Sequence, residues 1–326
     1  MSNEVRAPDD ALRAAVLAGL TASPKTLPAT LLYDARGARL FEWITTLPEY
    51  YVTRTELAIL RAHAPAMAAA AGPGCTLIEL GSGPATKVRL LLDAFQHFGN
   101  AARPTAYVPV DVAAGQLRAV TRALRAAYPA LRVRPVVADY TRTLDLGPLP
   151  PGRRVVFFPG STIGNFHPQE AVDFLRGVAR LCGAGGAVLL GVDRAKDAAV
   201  LHRAYNDAAG VTARFNRNVL RRLNRECGAT FDPRRFRHYA FYNPPAGRVE
   251  MHLVSRAAHA VEVAGVPARF ARGESIWTES SYKYRPRGVA ALAAAAGFRV
   301  AHTWTDPRAW CEVAWLDVTG DDARAA

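Results

Sequence analysis

The chain has 326 residues, 50% hydrophobic and 21% charged, with 41 Lys plus Arg against 28 Asp plus Glu and a formal net charge of +13. That length carries a sizeable core in one large or two modest domains, and the composition excludes a disordered tail protein, a collagen-like repeat and a disulfide scaffold. The charge invites a nucleic-acid reading, yet only Lys25, Lys87, Lys196 and Lys283 are lysines and the other 37 cations are Arg. Together with abundant Ala, this reads as compositional bias, and net charge speaks to solubility and non-specific binding rather than to fold.

The first residues, MSNEVRAPDDALRAAVLAGL, carry acids early and lack the charged-then-apolar layout of a leader. No run of about 18 apolar residues occurs, so no membrane association is expected, and the expected compartment is the cytoplasm. Cys75, Cys182, Cys227 and Cys311 are scattered, with no CxxC pair. They read as buried free thiols. With the histidines equally dispersed, no metal is expected.

From residue 76 the chain alternates strand and helix signals. TLIEL (76–80) is a short apolar run that ends in Gly81-Ser82-Gly83, and 88–98 is helical. YVPVDV (107–112) is a second strand, followed by a helix over 114–127, and LRVRPVVADY (131–140) is a third strand. RRVVFFPGS (153–161) is nearly all apolar, as a strand buried on both faces should be. A helix opens at Pro168 and runs to 181, and GGAVLLGVD (185–193) is the fifth strand. Strands alternating with helices predict a parallel, doubly wound sheet.

The rhythm breaks after Asp193. Residues 197–237 read as helical and Arg-rich, 247–270 as antiparallel strands, 287–296 as a helix, and 298–305 and 311–318 as two closing strands. The fold class is therefore α/β, a Rossmann-like sheet with an inserted α+β lobe. Residues 60–196 and 285–326 are expected to form the sheet domain, and 1–59 and 197–284 the second, substrate-binding lobe.

IELGSGPATK (78–87) places two glycines between a strand and a helix, where they allow a tight turn and close approach of a ligand to the backbone. The GxxxxGK[ST] order of a P-loop is missing, and Thr86 stands where a dinucleotide fingerprint needs its third Gly. What remains is the ExGxG pattern of class I S-adenosylmethionine (SAM) methyltransferases. Asp111, ending the second strand, suits a ribose diol. Asp139, ending the third, suits the adenine amine, with Tyr140 beside it to flank the ring. The closing strand pair fits the same class.

Further strings carry a narrower resemblance. The chain contains SPKTLPATLLYDARGARLFEWITTLPEYYVTRTE (23–56), FFPGSTIGNF (157–166), AYNDAAGVTARFNRNVLRRLNRE (204–226), VEM (249–251), TESSYK (278–283) and TWTDP (303–307). With IELGSGPATK, they resemble the histidine-specific Nα-methyltransferases of ergothioneine biosynthesis over almost the whole chain. The resemblance implies SAM-dependent trimethylation of the α-amino group of L-histidine to hercynine, leaving S-adenosylhomocysteine. A monomer is the default expectation, and no nucleic-acid partner is expected. It implies cofactor contacts at Gly81, Lys87, Asp111, Asp139 and Tyr140, with Lys87 on the methionine carboxylate. Asn165 and Tyr205 match the residues that hold the substrate's amino and carboxylate groups and serve catalysis. Tyr50, Glu279 and Ser281 match those around the imidazole, and Tyr33 and Met251 line the pocket.

Each residue also has a plainer role open to it. Asn165 could cap the helix entered at Pro168, Tyr205 and Met251 could be core, one of Tyr50 and Tyr51 could be packing, and Glu279 could be an exposed strand acid. Tyr282 and Tyr284 depart from the pattern. In a strand, Tyr282 points away from Ser281 and Lys283; out of one, it could crowd the pocket. Two alternatives to histidine stand beside this reading. One is another amino acid or small amine on the same fold. The other is an RNA methyltransferase using Arg214, Arg217, Arg221 and Arg225, which share a helix face.

Overall fold

The computed structural model describes residues 10–97 and 103–320. The first nine residues read for a leader, and Phe98 of the first predicted helix after the glycine turn, lie outside this range. In chain order the elements are α1 (Asp10–Thr21), β1 (Lys25–Thr26), α2 (Ala35–Thr46), α3 (Tyr51–Ala71), β2 (Thr76–Leu80), α4 (Thr86–His97), β3 (Ala106–Asp111), α5 (Ala114–Ala127), β4 (Arg132–Val133), β5 (Val136–Val137), β6 (Arg154–Phe158), α6 (Pro168–Cys182) and β7 (Ala187–Asp193). They continue with α7 (Ala198–Tyr205), α8 (Val211–Cys227), β8 (Phe236–Asn243), β9 (Arg248–Ser255), β10 (His259–Val263), β11 (Val266–Phe270), β12 (Ser275–Tyr282), α9 (Pro286–Ala295), β13 (Phe298–Thr305) and β14 (Cys311–Val318).

The chain forms two compact units. One runs to Tyr51 and resumes over Lys196–Ser281; the other is Val52–Ala195 with the chain from Tyr282 onward. The second unit holds an eight-stranded sheet in the order β13-β14-β7-β6-β2-β3-β4, with β5 also on β3. β7, β6, β2 and β3 are parallel neighbours, while β14 is antiparallel to β7 and β13 antiparallel to β14. Every residue of β2 and β7 is buried, as strands covered on both faces require. One core layer joins Ile78, Val108, Val156 and Val188 of the sheet to Leu175 and Val178 of α6 and Val289 and Leu292 of α9. Strand order reverses at β2, so the crevice for a ligand opens at the carboxyl ends of β2 and its neighbours. This is the doubly wound sheet closed by an antiparallel strand pair that the sequence led one to expect.

The first unit holds a four-stranded sheet, β1-β12-β9-β8, and the hairpin β10–β11. Ala264 and Gly265 both have positive φ, 50° and 80°, which suits the tight two-residue turn between those strands. α8 buries Phe215, Val219, Leu220 and Leu223.

Two expected elements differ. The strand expected over 131–140 is two short pieces, because Pro135 between them has no N–H to give a neighbour. The helical stretch expected over 197–237 is interrupted at Gly210 (φ +66°) and stopped at Gly228 (φ +61°). Its last residues instead begin β8, which pairs with β9 from Phe236 onward.

Candidate active site

The glycine turn follows β2 directly. Gly81 has φ +72°, a backbone conformation that favours glycine, and a Cβ there would only meet the Tyr140 ring at an ordinary contact of 3.4 Å. Gly83 donates its N–H to Asp111 Oδ2 at 3.2 Å, and Ala113 donates to Oδ1 at 2.9 Å. The carboxylate at the end of β3 is thereby tied to the turn at the end of β2. Asp139 stands two residues beyond β5 and accepts the N–H and hydroxyl of Thr141 at 2.9 and 2.6 Å. The Tyr140 ring packs edge-on against Phe158, centroids 5.7 Å apart, and burial raises its phenol pKa.

Lys87 sits in the first turn of α4, its Nζ 2.5 Å from Glu56 Oε2. Glu56 is buried on α3 and also accepts the Gly160 N–H, at 2.8 and 3.0 Å from its two oxygens. Sequence reasoning missed Glu56. The available signal was its place on an apolar helix face, with Val52 four residues before and Ile59 and Leu60 three and four after, all buried.

Glu79, the acid of the ExGxG pattern, is 1% exposed and accepts the Tyr107 hydroxyl. Burial pushes its carboxyl up to about 8, against the Tyr107 hydrogen bond and the Lys87 charge. The folded chain therefore keeps a proton that the unfolded chain releases above about 4.5. Stability should fall as pH rises from about 4.5 to about 8, by at most ~1.4 kcal/mol per unit from this group. Glu79→Gln should flatten that slope in urea titrations at stepped pH; an unchanged slope would show that Glu79 titrates normally.

Asn165 closes the 3-10 turn Thr162–Asn165 and is half-buried. It is not the cap of α6: His167 holds that position and gives its N–H to Glu170 at 2.8 Å. The turn is pinned by Ser161, whose Oγ accepts the Asp193 N–H at 2.8 Å. It also lies close to the end of β12, since a Cβ on Gly164 would come 2.8 Å from the Tyr282 carbonyl oxygen. The Tyr282 hydroxyl lies 3.1 Å from His167 Nδ1, whereas Lys283 Nζ is 2.8 Å from Asp193 Oδ2. Tyr284 packs against the sheet core.

The other unit gathers the remaining residues. The Tyr205 hydroxyl donates to Ser281 Oγ at 2.8 Å, and the Tyr33 hydroxyl to Glu279 Oε2 at 3.4 Å. Glu279 is 8% and Ser281 5% exposed, so Glu279 is no surface acid. Edge-to-face rings run from Tyr33 to Phe41 (5.5 Å), Phe41 to Tyr50 (6.2 Å) and Tyr50 to Tyr205 (6.4 Å). Met251 is buried, and Tyr51 beside Tyr50 accepts from Lys196 at 2.8 Å.

A polar network that sequence reasoning also missed backs this group. His238 Nε2 lies 2.9 Å from the Tyr205 carbonyl and its Nδ1 3.0 Å from Asn216 Nδ2. Burial lowers the His238 pKa despite that carbonyl, so the neutral ring donates from Nε2 and accepts at Nδ1. Asn216 in turn accepts the Thr278 hydroxyl at 2.7 Å and donates to the His252 carbonyl at 3.1 Å, connecting α7, α8, β8, β9 and β12. The arginines of α8 differ among themselves. Arg225 pairs with Asp34 at 2.8 Å, Arg214 lies 4.7 Å over the Trp43 ring, and Arg217 has its pKa lowered by burial and by Arg221, Arg256 and Arg214.

Residues 12–318 match the family model described as histidine-specific methyltransferase, SAM-dependent. A histidine N-alpha-methyltransferase from Mycolicibacterium smegmatis is 48% identical over 301 residues, covering 91% of this chain and 92% of that protein. Ergothioneine biosynthesis protein 1 of Neurospora crassa is 32% identical over 86% of this chain, which spans 32% of that longer protein. Among solved structures, the CcbJ methyltransferase from Streptomyces caelestis is similar at 17% identity, covering 79% of this chain and 95% of that one with a TM-score of 0.46. A glycine turn without the P-loop order, Asp111 at the end of β3, Asp139 just past β5 and a match across nearly the whole chain agree: this protein belongs to the family of SAM-dependent, histidine-specific methyltransferases.

Proposed function

We infer that the chain moves methyl groups from SAM to the α-amino nitrogen of L-histidine, in three rounds, giving Nα,Nα,Nα-trimethylhistidine (hercynine) as the first step of ergothioneine biosynthesis. The names of the similar proteins from M. smegmatis and N. crassa support this reading. The observation that carries it is the pair Glu279 and Ser281, two residues apart on β12, buried, each with a tyrosine hydroxyl against it. A carboxylate accepts one imidazole N–H and a hydroxyl serves the other nitrogen. A pocket pairing both rejects isosteres that leave its polar groups unmatched.

The residues at the sheet's carboxyl edge fit SAM: a left-handed glycine, an acid tied to the turn, and an ammonium but no phosphate cradle. Gly81, Lys87, Asp111, Asp139 and Tyr140 are the residues we assign to hold it. Bound there, SAM supplies an electrophilic methyl group on a sulfonium. The chain's task is then to orient the amine and keep it unprotonated. Asn165 can accept an amine N–H through its amide oxygen without a fixed charge that would favour ammonium. We assign the carboxylate end to Tyr205, and the pocket walls to Tyr33, Tyr50 and Met251. In-line positioning accounts for the chemistry without a dedicated nucleophile. Incubating purified protein with SAM and each amino acid in turn, with methyl gain read by mass, tests the assignment. Histidine should gain three methyl groups; methylation of another amine with none on histidine would overturn it.

A further inference from the structure

We propose that Glu56 is a positioning residue for the methionine end of the cofactor, holding Lys87 where its ammonium meets the cofactor carboxylate. The proposal rests on reading this unit as the SAM site. Four chain segments converge on the pair. Glu56 comes from α3 and Lys87 from α4, with side chains 3% and 20% exposed and 2.5 Å between charged atoms. Gly160 follows β6, and its N–H donates to Glu56. A Cβ on Gly160 would lie 3.2 Å from Lys87 Nζ, and a Cβ on Gly191 of β7 only 1.9 Å from Glu56 Oε1. Two glycines therefore keep open the space that the ammonium and the carboxylate fill.

A lysine by itself is a point charge on a flexible stem. Here its head is fixed by a buried carboxylate that is in turn fixed by a backbone N–H, so the ammonium is ordered before ligand arrives. Removing the Glu56 charge has two opposed consequences. It relieves repulsion of an incoming carboxylate, and it leaves a largely buried ammonium without its counter-charge, free to swing toward water. The second dominates, because breaking a buried pair costs more than a partly screened repulsion returns.

Calorimetric binding to the full chain tests this with two probes. S-adenosylhomocysteine carries the amino-acid end; 5′-methylthioadenosine keeps the adenosine and the thioether but lacks that end. Glu56→Gln should weaken S-adenosylhomocysteine by at least about tenfold and methylthioadenosine by less than about twofold. Lys87→Met should show the same selective loss, and the double variant less than the product of the two. Should Glu56→Gln not fold, Glu56→Asp, which keeps the charge but retracts it by one methylene, carries the same selective readout. Equal losses on both probes, or unchanged affinity for S-adenosylhomocysteine, would overturn the proposal. If the unsubstituted protein binds neither probe, it is the SAM reading itself that fails.

Discussion

Lys283→Met should lower the unfolding free energy by about 3–5 kcal/mol. Lys283 and Asp193 have side chains 1% and 0% exposed and face each other at 2.8 Å. Methionine fills the space of the lysine stem but removes the ammonium that faces the buried Asp193 carboxylate. For a chain of this size, a drop of roughly 10 °C in melting temperature is expected. The pair itself is a different matter from its halves. Replacing both members with apolar groups removes both desolvation penalties, so Asp193→Leu with Lys283→Met should recover much of the loss. Melting of the single variant within a degree of the parent would show that the pair is not maintained in solution.

Glu279→Ala should reduce kcat/KM for histidine by at least about tenfold, equivalent to about 1.4 kcal/mol. The carboxylate is buried and held by the Tyr33 hydroxyl. Alanine therefore removes the acceptor that we assign to an imidazole N–H, together with the one the Tyr33 hydroxyl uses. Glu279→Gln keeps one acceptor oxygen at the same reach, so its loss should lie between those of the parent and the alanine variant. S-adenosylhomocysteine affinity should stay constant across the series, because the residues we assign to the cofactor belong to the other compact unit. Unchanged histidine kinetics in Glu279→Ala would remove the imidazole assignment.

The parts of the fold that are legible in the sequence are those where a residue's neighbours along the chain decide its environment. Strands 298–305 and 311–318 have the expected bounds, and the helix over 114–127 likewise. Each carries its own periodicity, apolar runs for buried strands and a 3.6-residue stripe for the helix. Over 131–140 a run of apolar residues masks the missing N–H of Pro135, so one long strand is expected where two short ones form. The start of β8 looks helical because Arg-rich chain has no strong period of its own; pairing with β9 decides it.

The candidate site divides the same way. Gly81 and Asp111 announce themselves by lying at successive strand ends. Glu56, Asn216 and His238 do not, because a lone polar residue on an apolar face gains meaning only when its partner, far along the chain, is known. Tyr282 shows the same limit from the other side. Its sequence position leaves its direction open, and the structure turns its hydroxyl to His167.

The cationic composition carries one real signal, the rarity of lysine. Lys25 pairs with Glu274 at 2.6 Å, Lys87 with Glu56 at 2.5 Å, Lys196 donates to Tyr51 at 2.8 Å, and Lys283 pairs with Asp193 at 2.8 Å. The sequence alone determined the sheet class, the glycine turn and the family, because apolar period, turn chemistry and long idiosyncratic strings are local properties. Only the tertiary structure decided which group each lysine meets and which tyrosine hydroxyls reach Glu279 and Ser281. Those pairings depend on groups brought together from as many as 249 positions apart, and their strength depends on burial, which no local stretch of sequence specifies.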